Sequence, residues 1–144
     1  MAKETRKGVG ATVFSQLPQE KWNELARAAE DLVAAPGTVI FRQGDPGEKF
    51  YVIRTGRVRV LREDASMETE ISVLQAGEYF GEMALFMNEP RSATVAALEE
   101  THLLVLSKGQ FQSILKDFPN VTFAFVRQMC EHLLRDSQVK RRKR

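Results

Sequence analysis

The chain has 144 residues, of which 43% are hydrophobic and 28% are charged, a balance that fits one globular domain with its own core. The net charge of +2 is uneven, because both ends of the chain are basic and the body between them is negative. A basic face for duplex DNA is therefore not expected in the body, and nucleic acid is an unlikely partner for this chain alone.

A single cysteine, Cys130, excludes an internal disulfide and a cysteine-held iron–sulfur cluster. No apolar run reaches the roughly 18 residues that a membrane span needs, and the basic N-terminus lacks the apolar core of a secretion signal. These features predict a reduced, cytoplasmic protein without a membrane span.

The chain is expected to comprise a flexible tail over 1–12, one domain over 13–140 and a basic tail over 141–144. From Pro18 onwards, apolar residues recur at three- and four-residue spacing. This pattern predicts an amphipathic helix that ends before Pro36. Its apolar positions are Trp22, Leu25, Ala26, Ala29, Leu32 and Val33.

Beyond Thr38 the apolar period falls to two, and turns rich in glycine separate short segments. These segments predict strands at 38–42, 49–55, 57–63, 68–74, 92–97 and 101–106, and a further strand that ends at Phe80. In the strand 57–63, Val58 and Val60 are expected to face the core. Its arginines, Arg57, Arg59 and Arg62, are expected to face solvent. Short strands at this spacing are typical of a sandwich or a jelly-roll barrel.

Helical patterns return with a capping box formed by Ser107 and Gln110, which predicts a helix over 107–118. Pro119 ends that helix, and a second helix is predicted over 120–140. Two apolar stripes run along the second helix, so we expect it to pack both on the barrel and on another partner. A parallel helix from a second subunit is the expected partner, which would make the chain a homodimer.

The segment 80–95 has the chemistry of an anion site. Gly81 permits a sharp turn, and the short helix 82–87 begins with free backbone N–H groups that favour negative charge. Arg91 follows within a few residues and supplies a guanidinium that suits phosphate oxygens. The carboxylate of Glu82 beside them is suited to a sugar hydroxyl. Together these groups indicate a phosphate joined to a sugar.

This segment resembles the phosphate-binding cassette of cyclic nucleotide-binding domains. The family pattern is Phe-Gly-Glu, a small-then-apolar turn, a spacer, then Pro-Arg, a small residue, Ala, Thr and Val, and every position is filled here. The resemblance covers nearly the whole chain. It implies a mainly β fold, a β-roll or jelly roll (double-stranded β-helix), with one N-terminal helix, a short cassette helix and two C-terminal helices.

The resemblance also implies ligand contacts. Glu82 would bind the ribose 2′-hydroxyl and Arg91 the exocyclic phosphate oxygens, while backbone N–H groups and the Ser92 hydroxyl complete the phosphate cradle. The cassette positions implied are Gly81, Glu82, Met83, Ala84, Leu85, Arg91, Ser92 and Ala93. The wall for the base would be formed by Ile71, Val73 and Leu74. The alternatives are a solvated Glu82, a surface Arg91 paired with Glu89, and a wall that is ordinary barrel core.

The final helix resembles the dimer helix of the bacterial catabolite activator family. Asp136 and Ser137 fall where that family places a Thr-Ser pair against the adenine edge. Relatives with threonine at the position of Ser92 tend to prefer guanine, and serine resembles the activator type, which prefers adenine. The Asp136 carboxylate could accept from the adenine amino group or from guanine N1 and N2. The resemblance therefore implies cAMP as the favoured ligand, with cGMP left open.

No nucleophile–base pair is recognisable, and His102 and His132 do not form a metal-binding pattern. We therefore expect neither an enzyme nor a metalloprotein, and no cofactor. The implied function is a regulatory module in which cyclic nucleotide binding repositions the C-terminal helices and signals to a partner or a fused effector domain. Two alternatives are the sensor half of a transcription regulator that lacks its helix-turn-helix, and a degenerate module that binds no nucleotide.

Overall fold

The computed structural model describes residues 17–142, and the side chains of residues 17–131. The helices are α1 Gln19–Ala28, α2 Glu82–Met87, α3 Lys108–Asp117 and α4 Pro119–Arg142. The strands are β1 Glu30–Ala34, β2 Val39–Phe41, β3 Lys49–Thr55, β4 Arg57–Asp64, β5 Met67–Gln75, β6 Tyr79–Phe80, β7 Thr94–Ala97 and β8 Thr101–Ser107. The expected tail over 1–12 and the side chains of Asp136, Ser137 and His132 lie outside the described residues.

The described strands form two four-stranded antiparallel sheets, in the orders β1-β8-β3-β6 and β2-β7-β4-β5. The predicted fold class, a mainly β roll with flanking helices, is therefore confirmed. One core lies between the sheets, where Tyr51 and Ile53 of the first sheet meet Val58 and Val95 of the second. Closing the sheets on each other in this way leaves an internal space that side chains or a ligand can fill.

A second core lies on the other face of the first sheet, where α1, α3 and α4 pack. Phe50 and Val52 alternate with the inward-facing Tyr51 and Ile53, and they contact the helical residues Phe111 and Phe125. Because β3 is covered on both faces, it reads in the sequence as a continuous apolar run rather than an alternating one. The helices and the barrel interior thus share β3 as a common wall.

The first predicted helix is too long. It ends at Ala28, Ala29 is extended (ψ 153°), and residues Glu30–Ala34 form β1. This strand pairs antiparallel with β8, with Leu32 opposite Leu103. Leu32 and Val33 suit either periodicity, and pairing with a distant strand decides between them. The short apolar run was assigned to the wrong element because its partner lies about 70 residues away in the sequence.

The predicted orientation of Arg62 is also wrong. Arg62 lies on the cavity side of β4 together with Val60, two residues before it, and not on the side of Arg57 and Arg59. Strict alternation along a strand places residues 58, 60 and 62 on one face. The register position of Arg62, and not its charge, therefore decides which face it occupies.

The C-terminal helices begin as predicted. Ser107 Oγ accepts from the backbone N–H of Gln110 (3.1 Å), and the side chain of Gln110 accepts from the Ser107 N–H (2.8 Å), which completes the capping box. α4 buries Val121 and Phe125 completely against the helical core. None of the helices in the described part of the chain is long and apolar enough to cross a membrane.

Candidate functional site

The cassette begins where β6 ends. Gly81 has φ 92°, a left-handed conformation that glycine adopts without strain, and α2 starts at the next residue. A Cβ at position 81 would also lie 2.9 Å from Nη1 of Arg91 and 3.1 Å from the Lys49 carbonyl oxygen. α2 ends at Asn88, which has φ 55°. The chain then returns through Pro90 and places Arg91 beside the start of α2.

Arg91 is a buried arginine that is held in place by the backbone. Only 5% of it is exposed. Its Nη1 donates to the Gly81 carbonyl (2.9 Å) and its Nη2 to the Lys49 carbonyl (2.8 Å). The guanidinium carbon lies 4.1 Å from the centroid of the Phe41 ring, which gives a cation–π contact. Arg91 is therefore not the surface arginine of the alternative interpretation.

Among the described residues, the charge of Arg91 has no paired carboxylate. No acidic side chain in the described residues forms an ion pair with it, and its buried Nε has no hydrogen-bond partner there. Burial lowers the pKa of Arg91, and the nearby Tyr51 and Glu82 oppose that shift. A guanidinium keeps its proton under such conditions. A buried guanidinium that forms no direct ion pair among the described residues is a binding group for an anion.

Glu82 occupies the first position of α2 and is partly buried. Burial raises the pKa of its carboxyl group to about 7, although hydrogen bonds from the backbone N–H groups of Glu82 and Met83, and the charge of Arg91, oppose that shift. The carboxyl group therefore lies at the N-terminus of α2, near the guanidinium. It is an acceptor suited to a hydroxyl group, and it titrates near neutral pH.

A cavity of about 510 Å³ extends from this point along the inner face of the second sheet. Its volume is within the usual range for sites that hold a small molecule. The structure brings most of the predicted ligand positions together on its wall. These are Gly81, Glu82, Met83, Ala84, Arg91, Ser92 and Ala93 from the cassette, and Ile71 and Leu74 from β5.

Other predicted positions lie elsewhere. Val73 does not line the cavity and is 41% exposed. The side chain of Leu85 is buried in the helical core, although its predicted contact involves its backbone N–H group. Asp136 and Ser137 lie on the backbone of α4, but their side chains are outside the described residues.

Val73 alternates with the cavity-lining Ser72 and Leu74 and so faces outwards, and a β-bulge explains why Ile71 nevertheless lines the cavity. Val60 pairs with Ser72, but Leu61 pairs with Glu70, so Ile71 is left without a partner in the ladder. Such an extra residue breaks the alternation of side chains along the strand. Ile71 and Ser72 therefore both line the cavity, although they are adjacent in sequence. The resemblance implied a wall of Ile71, Val73 and Leu74, and of these only Ile71 and Leu74 line the cavity.

Several residues on or beside the cavity were missed by sequence reasoning. Phe41, Tyr79, Arg62, Ser72 and Met129 all line the cavity. The hydroxyl of Tyr79 donates to Oε1 of the buried Gln128 on α4, at 2.5 Å. Burial is the main cause that raises the pKa of Tyr79 above its ordinary value, so the hydroxyl keeps its proton.

Gly47 was also missed. A Cβ on Gly47 would lie 2.6 Å from Cβ of Ala84 and 2.7 Å from Nε of Arg91. The only signal in the sequence is the second glycine of the Gly44-Asp45-Pro46-Gly47 turn, which predicts a turn and says nothing about its neighbours.

The described residues contain no group of three or more His, Cys, Asp and Glu side chains that could hold a metal ion. His102 is exposed, and its Nε2 lies 3.4 Å from a carboxylate oxygen of Glu100. The chemistry of the cavity is instead that of anion and hydroxyl binding next to an apolar wall.

This combination defines a class of protein. The sequence model of the cyclic nucleotide-binding domain matches residues 32–118, more than half of the chain, and the chain belongs to this family. It is a cyclic nucleotide-binding regulatory domain, and this family of domains is a binding module.

The chain is similar to particular relatives in sequence and to a solved structure in fold. The regulatory subunit of a cAMP-dependent protein kinase from Pyricularia oryzae is 33% identical over 72% of this chain and 26% of its own length. A cGMP-dependent protein kinase from Eimeria tenella is 33% identical over 76% of this chain and 11% of its own length. The crystal structure of the Thermus thermophilus catabolite activator protein superposes with a TM-score of 0.80, at 29% identity, and covers 89% of this chain and 60% of that one.

The chain spans about a quarter of the length of the curated kinase subunits that it matches. The family assignment therefore concerns this domain and not the activities of the longer relatives.

Proposed function

We propose that this chain binds a purine cyclic nucleotide in the 510 Å³ cavity, with cAMP favoured over cGMP. The observation that carries the proposal is Arg91, a buried guanidinium with no paired carboxylate among the described residues and with Glu82 beside it. A phosphate would neutralise the guanidinium, and an attached ribose would place a hydroxyl near Glu82. The cytoplasmic location expected from the sequence stays a prediction.

The phosphate end is supported by donors that remain available. A guanidinium has five N–H groups. In Arg91, two of them donate to backbone carbonyls of the described residues. The remaining donors would bind the exocyclic oxygens, together with the backbone N–H groups of Ala84, Leu85 and Ala93. The exposed Ser92 hydroxyl lies on the same wall and would add a further hydrogen bond.

The base end of the proposed site is apolar. Ile71 and Leu74 supply an apolar wall in the cavity. The proposed preference for adenine is based on the resemblance of Ser92 to the activator type. It is also based on the expected contact of Asp136 and Ser137, on α4, with the adenine edge. The names of the relatives include both a cAMP-dependent and a cGMP-dependent kinase, so membership of the family alone does not decide the base.

Signalling would pass through α4. Met129 of that helix lines the cavity, and its neighbour Gln128 accepts from Tyr79, next to the cassette. A ligand that contacts both the cassette and α4 stabilises one position of the helix over another, which is the requirement for a shift between two states. We propose that α3 and α4 are the elements that respond to the ligand.

The partner of α4 is proposed to be a second copy of this chain, or else a fused or separate effector domain. Phe123, Val126 and Cys130 are exposed on α4 at spacings of three and four residues, so they share one face. An apolar helical face of this kind suits a parallel helix. The sensor half of a transcription regulator remains an alternative, because the catabolite activator has this fold.

Calorimetric titration of the purified chain with cAMP and cGMP tests the proposal, with linear 5′-AMP as the control for a non-cyclic phosphate. We expect saturable binding of both cyclic nucleotides, tighter for cAMP, and weaker binding of 5′-AMP. Absence of heat with both cyclic nucleotides at millimolar concentration would identify a degenerate module and reject the proposal. Sedimentation with and without cAMP tests the dimer.

A further inference from the structure

Arg62 differs from the other arginines of β3 and β4. Arg54, Arg57 and Arg59 each face a carboxylate, with N–O distances of 3.4 Å to Asp31, 2.6 Å to Glu99 and 3.1 Å to Glu70. Arg62 has neither an ion pair nor a side-chain hydrogen bond among the described residues. It is half-buried and lines the cavity. A free guanidinium on a cavity wall is a donor group available to a ligand.

The register of the second sheet places Arg62 relative to Arg91. A row of paired residues crosses the four strands, with Phe41 opposite Val95, Val95 opposite Val60, and Val60 opposite Ser72. The guanidinium of Arg91 lies over Phe41, at one end of this row. Ser72 lies at the other end, roughly 14 Å away at the usual spacing between strands.

Arg62 lies on the strand next to the one that carries Ser72, where Val60 pairs with Ser72 and Arg62 pairs with Thr69. It is two residues beyond Val60 on β4, on the same face. β4 is two strands away from β2, which carries Phe41, and it is the neighbour of β5, which carries Ser72. A nucleotide whose phosphate binds Arg91 would therefore extend along the sheet and bring its base to Arg62 and Ser72.

We propose that Arg62 reads the base of the nucleotide by donating to its acceptor edge, assisted by the Ser72 hydroxyl, and that it thereby favours guanine. Guanine presents O6 and N7 as adjacent acceptors, which match the planar fork of a guanidinium. Adenine presents N7 beside an amino group, which is itself a donor. Arg62 therefore opposes the adenine preference that is proposed for the rest of the site. The inference rests on the proposed nucleotide-binding function.

The test compares affinities for cGMP, cAMP and cyclic IMP, which retains O6 and N7 but lacks the guanine amino group. In Arg62→Met we expect cGMP and cyclic IMP to bind about 5- to 150-fold more weakly, which is the range for the loss of one bidentate base contact. The affinity for cAMP should change by less than about threefold. The matched control is Arg59→Met, on the same strand and paired with Glu70 outside the cavity, which should leave all three affinities unchanged.

The outcomes separate the alternatives. Equal weakening of all three nucleotides would assign Arg62 to the phosphate, and unchanged affinities would make it a solvated residue; either result overturns the inference. Arg62→Lys keeps the charge but not the fork, so it should lose cGMP affinity as Arg62→Met does, and it provides a second variant if the first fails to fold. If the unmodified chain binds none of the three, the proposed function itself fails.

Discussion

Gly47 and Arg91 are in such close contact that a Cβ on Gly47 would lie 2.7 Å from Nε and 2.8 Å from Cζ of the arginine. The same Cβ would lie 2.6 Å from Cβ of Ala84 in α2. The turn before β3 therefore packs closely against both the guanidinium of Arg91 and the helix α2. The position of the arginine depends on the absence of a single side chain in a loop that lies more than 40 residues earlier in the sequence.

We predict that Gly47→Ala weakens cyclic nucleotide binding by at least about tenfold, which corresponds to about 1.4 kcal/mol. The added methyl group forces Arg91 or Ala84 to move, and both line the cavity. Isothermal titration of cAMP measures the effect. Gly37→Ala is the control, because Gly37 has φ 85° and nothing within 4 Å of its Cβ position. That variant should lose stability through backbone strain and keep its affinity; loss of affinity in both variants would contradict the contact argument.

Arg91→Ala should weaken nucleotide binding by about 2–5 kcal/mol, as expected when a buried charge partner is removed. It should also lower thermal stability, because the Gly81 and Lys49 carbonyls lose their donors and Phe41 loses its cation–π contact. Titration and thermal unfolding measure the two effects. Arg57→Ala is the control, because it removes a half-exposed arginine that is paired with Glu99. It should change the nucleotide affinity and the thermal stability only slightly. An unchanged affinity in Arg91→Ala would mean that the phosphate binds elsewhere.

Glu82 should make the stability of the domain depend on pH. Its pKa is raised from 4.5 to about 7 in the folded chain, so between these values the folded state holds a proton that the unfolded state releases. The stabilisation linked to that proton is complete below pH 4.5 and is lost as the pH rises to 7. We expect a loss of about 1–3 kcal/mol across this window.

Urea unfolding at pH 5.0 and 7.5 measures this dependence. In Glu82→Gln the side chain cannot titrate, so the difference between the two pH values should shrink by the amount that Glu82 contributes. If the variant and the unmodified chain show the same pH dependence, Glu82 is not the group responsible, and its carboxyl group titrates at an ordinary pKa.

Tyr79→Phe should loosen α4. The change removes the donor to the buried Oε1 of Gln128 and should cost about 1–3 kcal/mol of unfolding free energy. Hydrogen exchange of α4 amides should become faster than that of β3 amides, because the lost bond joins α4 to the barrel. Tyr51→Phe is the control, since the Tyr51 hydroxyl makes no hydrogen bond among the described residues. Uniformly faster exchange in all elements would show a general loss of stability instead.

The cassette could be predicted because its geometry depends on neighbours in sequence. The turn at Gly81, the left-handed Asn88 and the break before Pro90 each follow from local backbone preferences. The capping box at Ser107 belongs to the same category. Local rules therefore gave the start and end of α2 and the start of α3.

The features that were missed all depend on contacts between distant segments. Strand β1 exists because Leu32 pairs with Leu103, and nothing within residues 30–34 distinguishes it from the end of α1. The contact of Gly47 with Arg91 is of the same kind. Arg62 is different, because strand alternation alone places it on the same face as Val60.

The bulge at Ile71 separates the register of β5 from the geometry of the anion end of the cavity. One unpaired residue decides which side chains of β5 line the cavity, whereas Arg91, the proposed phosphate ligand, is anchored to Gly81 and Lys49 on other segments. Insertion or deletion of a single codon in the β4–β5 hairpin therefore exchanges the inward and outward residues of one strand and leaves the anion end of the cavity intact. Selectivity for the base can change by a shift in register alone, with no substitution at the phosphate site.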